Sequence, residues 1–201
     1  MSKTHDADRI RAAYAAGQRL FGESYAVELM RKQEALSDLA DLQFHFIGGI
    51  QSNKVKLVAG RVALVQSVDR VKLLPLIAQA AGQCGVRQPI LLEVHLSPEE
   101  SKGGALPGDL PALVESALSL PEIELAGLMT MPPYFDDPEQ ARPCFARLRG
   151  LKEELAARYA LPAFHHLSMG MSHDFEVAIE EGATLVRVGT AIFGERLRQA
   201  P

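Results

Sequence analysis

An α/β fold closing on itself as a (β/α)8 TIM-type barrel is what the sequence predicts, and three observations carry it. Short apolar runs alternate with longer amphipathic ones along the chain, the rhythm of parallel strands joined by crossover helices. The run Ile90-Leu91-Leu92-Glu93-Val94-His95-Leu96 is apolar at nearly every position, as a strand covered on both faces must be. No glycine/serine linker, charge block or low-complexity tract divides the chain, so residues 1–201 read as a single domain. A chain of that length, 47% hydrophobic, buries one substantial core.

The elements follow in order. Ser2-Lys3 leads at once into a helical pattern over 6–16. A strand over 19–22, a helix over 25–39 and a strand over 44–48 come next. Ser52-Asn53 start a helical segment over 52–59, and a strand over 62–68 precedes a helix over 71–84. The strand over 89–96, the helix over 109–120 and the strand over 124–131 continue the alternation. Asp137-Pro138, an N-cap followed by proline in the first turn, opens a helix over 138–159. A strand over 165–169, a helix over 173–181 capped by Ser172, and a strand over 185–193 complete the set.

That makes seven strands, where a closed barrel of this type needs eight. Because Ser2-Lys3 reads as the loop after a strand, the expectation is that the first strand and the N-terminal helix ahead of it are missing from this sequence. The alternative is an open doubly wound sheet of seven strands.

Composition limits the partners. Formal net charge is −4, so no broad basic field exists to attract nucleic acid or anionic lipid. Cys84 and Cys144 are the only cysteines, without metal or redox spacing, and read as reduced thiols. No apolar run approaches the roughly 18 to 20 residues that span a bilayer. The start, Met-Ser-Lys-Thr-His-Asp-Ala-Asp, has no apolar segment of a secretory signal. A cytoplasmic protein is expected, without membrane or nucleic-acid partners. The adjacent His165 and His166 would point to opposite faces of a strand, which argues against a metal.

In such folds the chemistry sits at the carboxyl ends of the strands. The stretches so placed include Lys3, 21–25, 47–54, 97–104, 129–133, 168–172 and 187–191. The last two follow the seventh and eighth strands of the eight-strand count, where barrels hold phosphate on backbone N–H groups. Ser168, Gly170 and Ser172 supply a hydroxyl, a close backbone approach and a helix cap, with Met169 between them; Gly189 and Thr190 supply an approach and a hydroxyl from the next loop. Arg187 lies in a strand between Val186 and Val188, where a buried guanidinium is costly unless paired. It bridges to a carboxylate at the barrel mouth or donates to a ligand inside it. His45 reads as a satisfied histidine, and the methionines at strand ends as packing around the mouth. Lys54 and Lys102 lie in loops of the same face, as solvated charges or as lysines that receive an aldehyde.

Several of these motifs, in order from Ser2 to about Arg196, resemble the pyridoxal-phosphate homeostasis proteins (the YggS/PROSC family). They are Ser2-Lys3-Thr4, Phe21-Gly22-Glu23-Ser24-Tyr25 with Glu28, and His45-Phe46-Ile47-Gly48 with Gln51-Ser52-Asn53-Lys54. Glu100-Ser101-Lys102-Gly103-Gly104 and Gly127-Leu128-Met129-Thr130-Met131-Pro132 follow. The most specific are Leu167-Ser168-Met169-Gly170-Met171-Ser172 and Val186-Arg187-Val188-Gly189-Thr190-Ala191-Ile192-Phe193-Gly194. The resemblance implies a fold like the N-terminal barrel of alanine racemase and a role in vitamin B6 homeostasis, with no established reaction. It implies pyridoxal 5′-phosphate as cofactor, held as a Schiff base on Lys3, with Ser24 at the ring. Ser168, Gly189 and Thr190 would hold the phosphate, Met169 and Gly170 would complete that loop, and Arg187 would face the pyridine nitrogen. Ser24 stands where the family has asparagine.

A lysine forms an imine through its neutral amine, which burial or nearby positive charge favours. An arginine at the pyridine nitrogen makes the ring a poorer electron sink. A racemase-like enzyme, the alternative, needs a second base across the ring; Tyr25 and Tyr134 are the candidates. A barrel that has lost its first strand and binds nothing is the third reading. Cofactor binding, with pyridoxal-phosphate-dependent apoenzymes as recipients, is the reading preferred here.

Overall fold

The structure, a computed structural model, describes residues 1–97 and 103–194. Seven parallel strands form one sheet in the order β1 to β7: β1 Leu20–Glu23, β2 Gln43–Phe46, β3 Leu64–Val68, β4 Gln88–Glu93, β5 Ile123–Met129, β6 His166–Met171 and β7 Leu185–Arg187. Every crossover steps to the next neighbour, so the order never reverses. A doubly wound sheet requires such a reversal, and that alternative falls.

The helices are α1 Ala7–Ala15, α2 Ala26–Ala35, α3 Leu74–Gln83, α4 Leu110–Leu118, α5 Arg142–Tyr159, α6 Phe175–Glu180 and α7 Thr190–Phe193. They cover the outer face of the sheet. Alternation along β4 explains why Ile90, Leu91 and Leu92 are apolar in succession: Ile90 and Leu92 join the core under the helices, while Leu91 points the other way. There it joins Ile47, Leu64, Ala126 and Met129 inside the barrel, with Met1 and Leu185 packed against them.

The sheet curls to near closure without pairing β1 to β7. Residues 1 and 2 lie across this seam: the Met1 amino group donates to the Val188 carbonyl at 2.6 Å, and the Ser2 amide to the Gly22 carbonyl at 2.9 Å. Beyond them the seam opens into a cavity of about 610 Å³ lined by Leu20, Gly22, Leu185, Val186 and Val188 among others. Leu20 and Val186 consequently stay exposed. The expectation of a barrel short of one strand agrees with this geometry.

Local departures have local causes. Residues Ser52–Leu57 form a 3-10 turn instead of an α-helix. The last strand stops at Arg187, because Gly189 breaks the extended backbone (φ −126°, ψ −77°) and α7 begins. Asp137 is the expected cap, its carboxylate accepting the Glu139 amide at 3.1 Å ahead of α5. Ser172 does not cap α6, which starts after Asp174, whose carboxylate accepts the Met171 amide at 2.6 Å.

Candidate functional site

The carboxyl ends of the strands surround a cavity of about 870 Å³. Lys3, Ser24, Ser172, Arg187, Gly189 and Thr190 line it together. Lys3 reaches it from a tight turn: the His5 amide donates to the Ser2 carbonyl at 3.1 Å, and Thr4 takes a positive φ of 67°. Ser24 follows β1 directly and is fixed by its neighbour. A Cβ on Gly48 would lie 2.0 Å from the Ser24 carbonyl oxygen, so only glycine lets the loop after β2 close on it.

Arg187 is buried at 6% exposure. Its guanidinium donates to the Ser168 hydroxyl and to the Thr130 carbonyl, each at 2.8 Å. Burial pushes its pKa down to about 10, with Asp174 and Glu93 opposing, so it stays charged at neutral pH. Among the described residues no carboxylate lies within ion-pair distance of it. The choice between bridge and donor therefore resolves to polar anchoring inside the barrel, at the cavity wall.

Within the Ser-x-Gly-x-Ser motif the structure gives the residues different places. Ser168 is fully buried, accepting from Arg187 and donating to the Gln66 side-chain oxygen at 2.7 Å. Its hydroxyl is spent inside the barrel and does not line the cavity. Met169 points away into the core under the helices. Gly170, at φ +88°, is required by packing: a Cβ there would lie 2.6 Å from the Ala178 Cβ and 3.0 Å from the Phe175 Cα. Neither Met169 nor Gly170 lines the cavity. Ser172, which the sequence offers in the same motif as a helix cap, does line it. Its hydroxyl oxygen accepts the Gly189 amide at 3.0 Å and the Ala191 amide at 3.5 Å, so two backbone donors converge on one oxygen at the mouth. β6 runs to Met171, two residues beyond the expected end, which makes Ser172 the first residue of the loop.

The Gln66 amide lies 3.0 Å from the His45 Nδ1. Burial pulls His45 down to about 4, so it is neutral and satisfied, as expected. Tyr134 and His173 stack at the rim, ring centroids 5.2 Å apart; Tyr25 and Tyr134 are both largely exposed. Lys54 also lines the cavity, whereas Glu100 and Lys102 lie outside the described residues. No group of three or more His, Cys, Asp or Glu able to hold a metal occurs among the described residues.

Glu93, at the end of β4, is 5% exposed. Burial pushes it up to about 7, Asp69 adds to this, and Arg187 opposes it. A carboxyl whose folded pKa is raised gives stability that is complete below its unfolded pKa and lost as pH climbs through the folded one. Glu93→Gln is therefore expected to match the parent at pH 4.5 and exceed it by about 1–3 kcal/mol at pH 8. Denaturant melts at the two pH values test this; a difference that is the same at both would refute it.

Comparison with known proteins agrees with the fold. A family model described as alanine racemase, N-terminal domain, matches residues 1–197. A pyridoxal phosphate homeostasis protein of Aquifex aeolicus is 50% identical over 195 residues, covering 97% of this chain and 85% of that protein. Its counterpart in Pseudomonas aeruginosa is 44% identical over 201 residues, 100% of this chain and 85% of that one. The structure of PipY from Synechococcus elongatus, solved with PLP bound, superposes with a TM-score of 0.90 at 38% identity, covering 96% of this chain and 90% of that chain.

Proposed function

The chain belongs to the alanine racemase N-terminal domain family, among its pyridoxal phosphate homeostasis proteins, and from that premise we propose that it binds pyridoxal 5′-phosphate through Lys3 and serves intracellular vitamin B6 homeostasis. One observation carries this reading: a lysine, a buried arginine and the Gly189 backbone line a single cavity, where the Gly189 and Ala191 amides converge on Ser172. These donors match the three polar ends of the cofactor.

Bound pyridoxal phosphate supplies an aldehyde for a lysine amine and a ring that draws electrons when its nitrogen is protonated. The chain's own residues then have separable tasks. Ser172, Gly189 and Thr190 would hold the phosphate, with the amides that meet on the Ser172 oxygen as donors. Ser24 borders the ring. Arg187 would face the ring nitrogen; a guanidinium has five N–H donors, and the bonds to Ser168 and Thr130 leave others for the cavity. A cation there keeps the ring nitrogen without its proton, which favours holding the cofactor over carbanion chemistry. The side chains available as a second base, Tyr25 and Tyr134, are exposed at the rim, so binding and delivery to pyridoxal-phosphate-dependent apoenzymes is the reading retained. No described helix is long and apolar enough to cross a membrane, in keeping with a cytoplasmic role.

The test is an absorbance titration with pyridoxal phosphate, then borohydride reduction and peptide mapping. A saturating visible band with the label on Lys3 is expected. A label spread over surface lysines, without saturation, would overturn the assignment.

A further inference from the structure

We propose that Lys32 is a positioning residue for Lys3, clamping with Glu23 and Glu28 the two peptide groups on either side of it. The proposal rests on the function assigned to Lys3.

Lys32 lies on α2 and is 6% exposed. Its ammonium donates to the Ser2 carbonyl at 2.7 Å, to Glu23 Oε1 at 2.7 Å and to Glu28 Oε1 at 2.6 Å. An ammonium has three protons, and all three are used, so Lys32 is no competitor for the aldehyde. The same two carboxylates return to the chain beside Lys3. Glu23 Oε1 accepts the Ser2 hydroxyl at 2.6 Å, and Glu28 Oε1 accepts the Thr4 amide at 2.6 Å.

The Ser2 carbonyl belongs to the peptide plane before Lys3, and the Thr4 amide to the plane after it. Peptide groups are planar, so fixing both planes restricts φ and ψ of Lys3 and hence the direction of its Cα–Cβ bond. The Glu28 bond also secures Thr4 at its positive φ, which a non-glycine residue does not adopt freely.

Stability alone is a poor account of this cluster. Burying an ion pair gains little over apolar packing, and Glu23 Oε2 is buried with no partner. Burial, opposed by Lys32 and Ser2, raises the Glu23 pKa. A charged cluster with an orphan oxygen suits the specification of a direction better than the filling of a core.

Three variants decide the matter: Lys32→Met, Glu28→Ala and Glu28→Gln. Pyridoxal phosphate titration, the share of borohydride label on Lys3 and the melting temperature without cofactor are read on each. Lys32→Met is expected to weaken cofactor affinity roughly 10- to 100-fold and to move label from Lys3 to other lysines, as misdirected reacting groups do. Glu28→Ala, partly exposed, is expected to melt close to the parent yet lose affinity about five- to tenfold. Glu28→Gln keeps an acceptor for the Thr4 amide and is expected to recover most of that loss. Should Lys32→Met fail to fold, the Glu28 pair decides alone. Parent affinity and Lys3 labelling in Glu28→Ala, or a Glu28→Gln loss equal to that of Glu28→Ala, would overturn the clamp. A parent chain unlabelled at Lys3 would instead overturn the function assigned to it.

Discussion

Lys3→Ala is expected to abolish the visible band and the borohydride-stable label at residue 3, and to cost at least about 3 kcal/mol of cofactor affinity, roughly a hundredfold. Without cofactor the variant is expected to melt within about 4 °C of the parent. The bonds to the Ser2 carbonyl and the Thr4 amide grip the peptide groups beside residue 3, so alanine leaves them in place. What is lost is the one amine carried by that turn. Arg187, Ser172 and the Gly189 amide remain, so weak saturable binding detected by competition with inorganic phosphate is expected to persist. Label appearing in full on Lys54, which lines the same cavity, would place the cofactor correctly but on another lysine. An unchanged band with label on surface lysines would refute the site.

The parts of this architecture that sequence revealed are those fixed by local chemistry. Strands buried on both faces leave runs such as 90–96 apolar at nearly every position, and Asp137-Pro138 announces a helix start whatever surrounds it. Strand ends are fixed by long-range contacts instead. The apolar stretch 185–193 reads as one strand, yet the backbone turns at Gly189 and residues 190–193 pack as a helix. The end of β6 is another such case: the strand runs to Met171, two residues beyond the end the sequence suggests, and leaves Ser172 as the first residue of the loop. Ser168 spends its hydroxyl on Gln66 and Arg187, residues from other strands; no periodicity announces such partners. The Lys32 clamp was equally illegible. It joins a strand end, a helix and a turn, and Lys32 on α2 reads in sequence as one more solvated helix charge.

Arg187→Met follows from the same polar interior, and its effect is largest on the protein without cofactor. Methionine fills much of the guanidinium's volume but donates nothing, leaving the Thr130 carbonyl and the Ser168 hydroxyl each without a buried donor. A loss of about 2–4 kcal/mol is expected, or roughly 5–15 °C in melting temperature. Glu93 adds a pH dependence. Arg187 holds its pKa down against burial, so without the cation Glu93 titrates above about 7 and its ionisation costs the fold more. Raised pKa means stability lost toward high pH, so the deficit of Arg187→Met is expected to widen from pH 6 to pH 9. Glu93→Gln in the same chain should then restore more stability than it adds to the parent, a non-additivity expected of residues in one electrostatic network. Denaturant melts of the four proteins at both pH values measure it. Strict additivity at pH 9 would mean that Arg187 and Glu93 act independently, and that the arginine's anchoring rests on Ser168 and Thr130 alone.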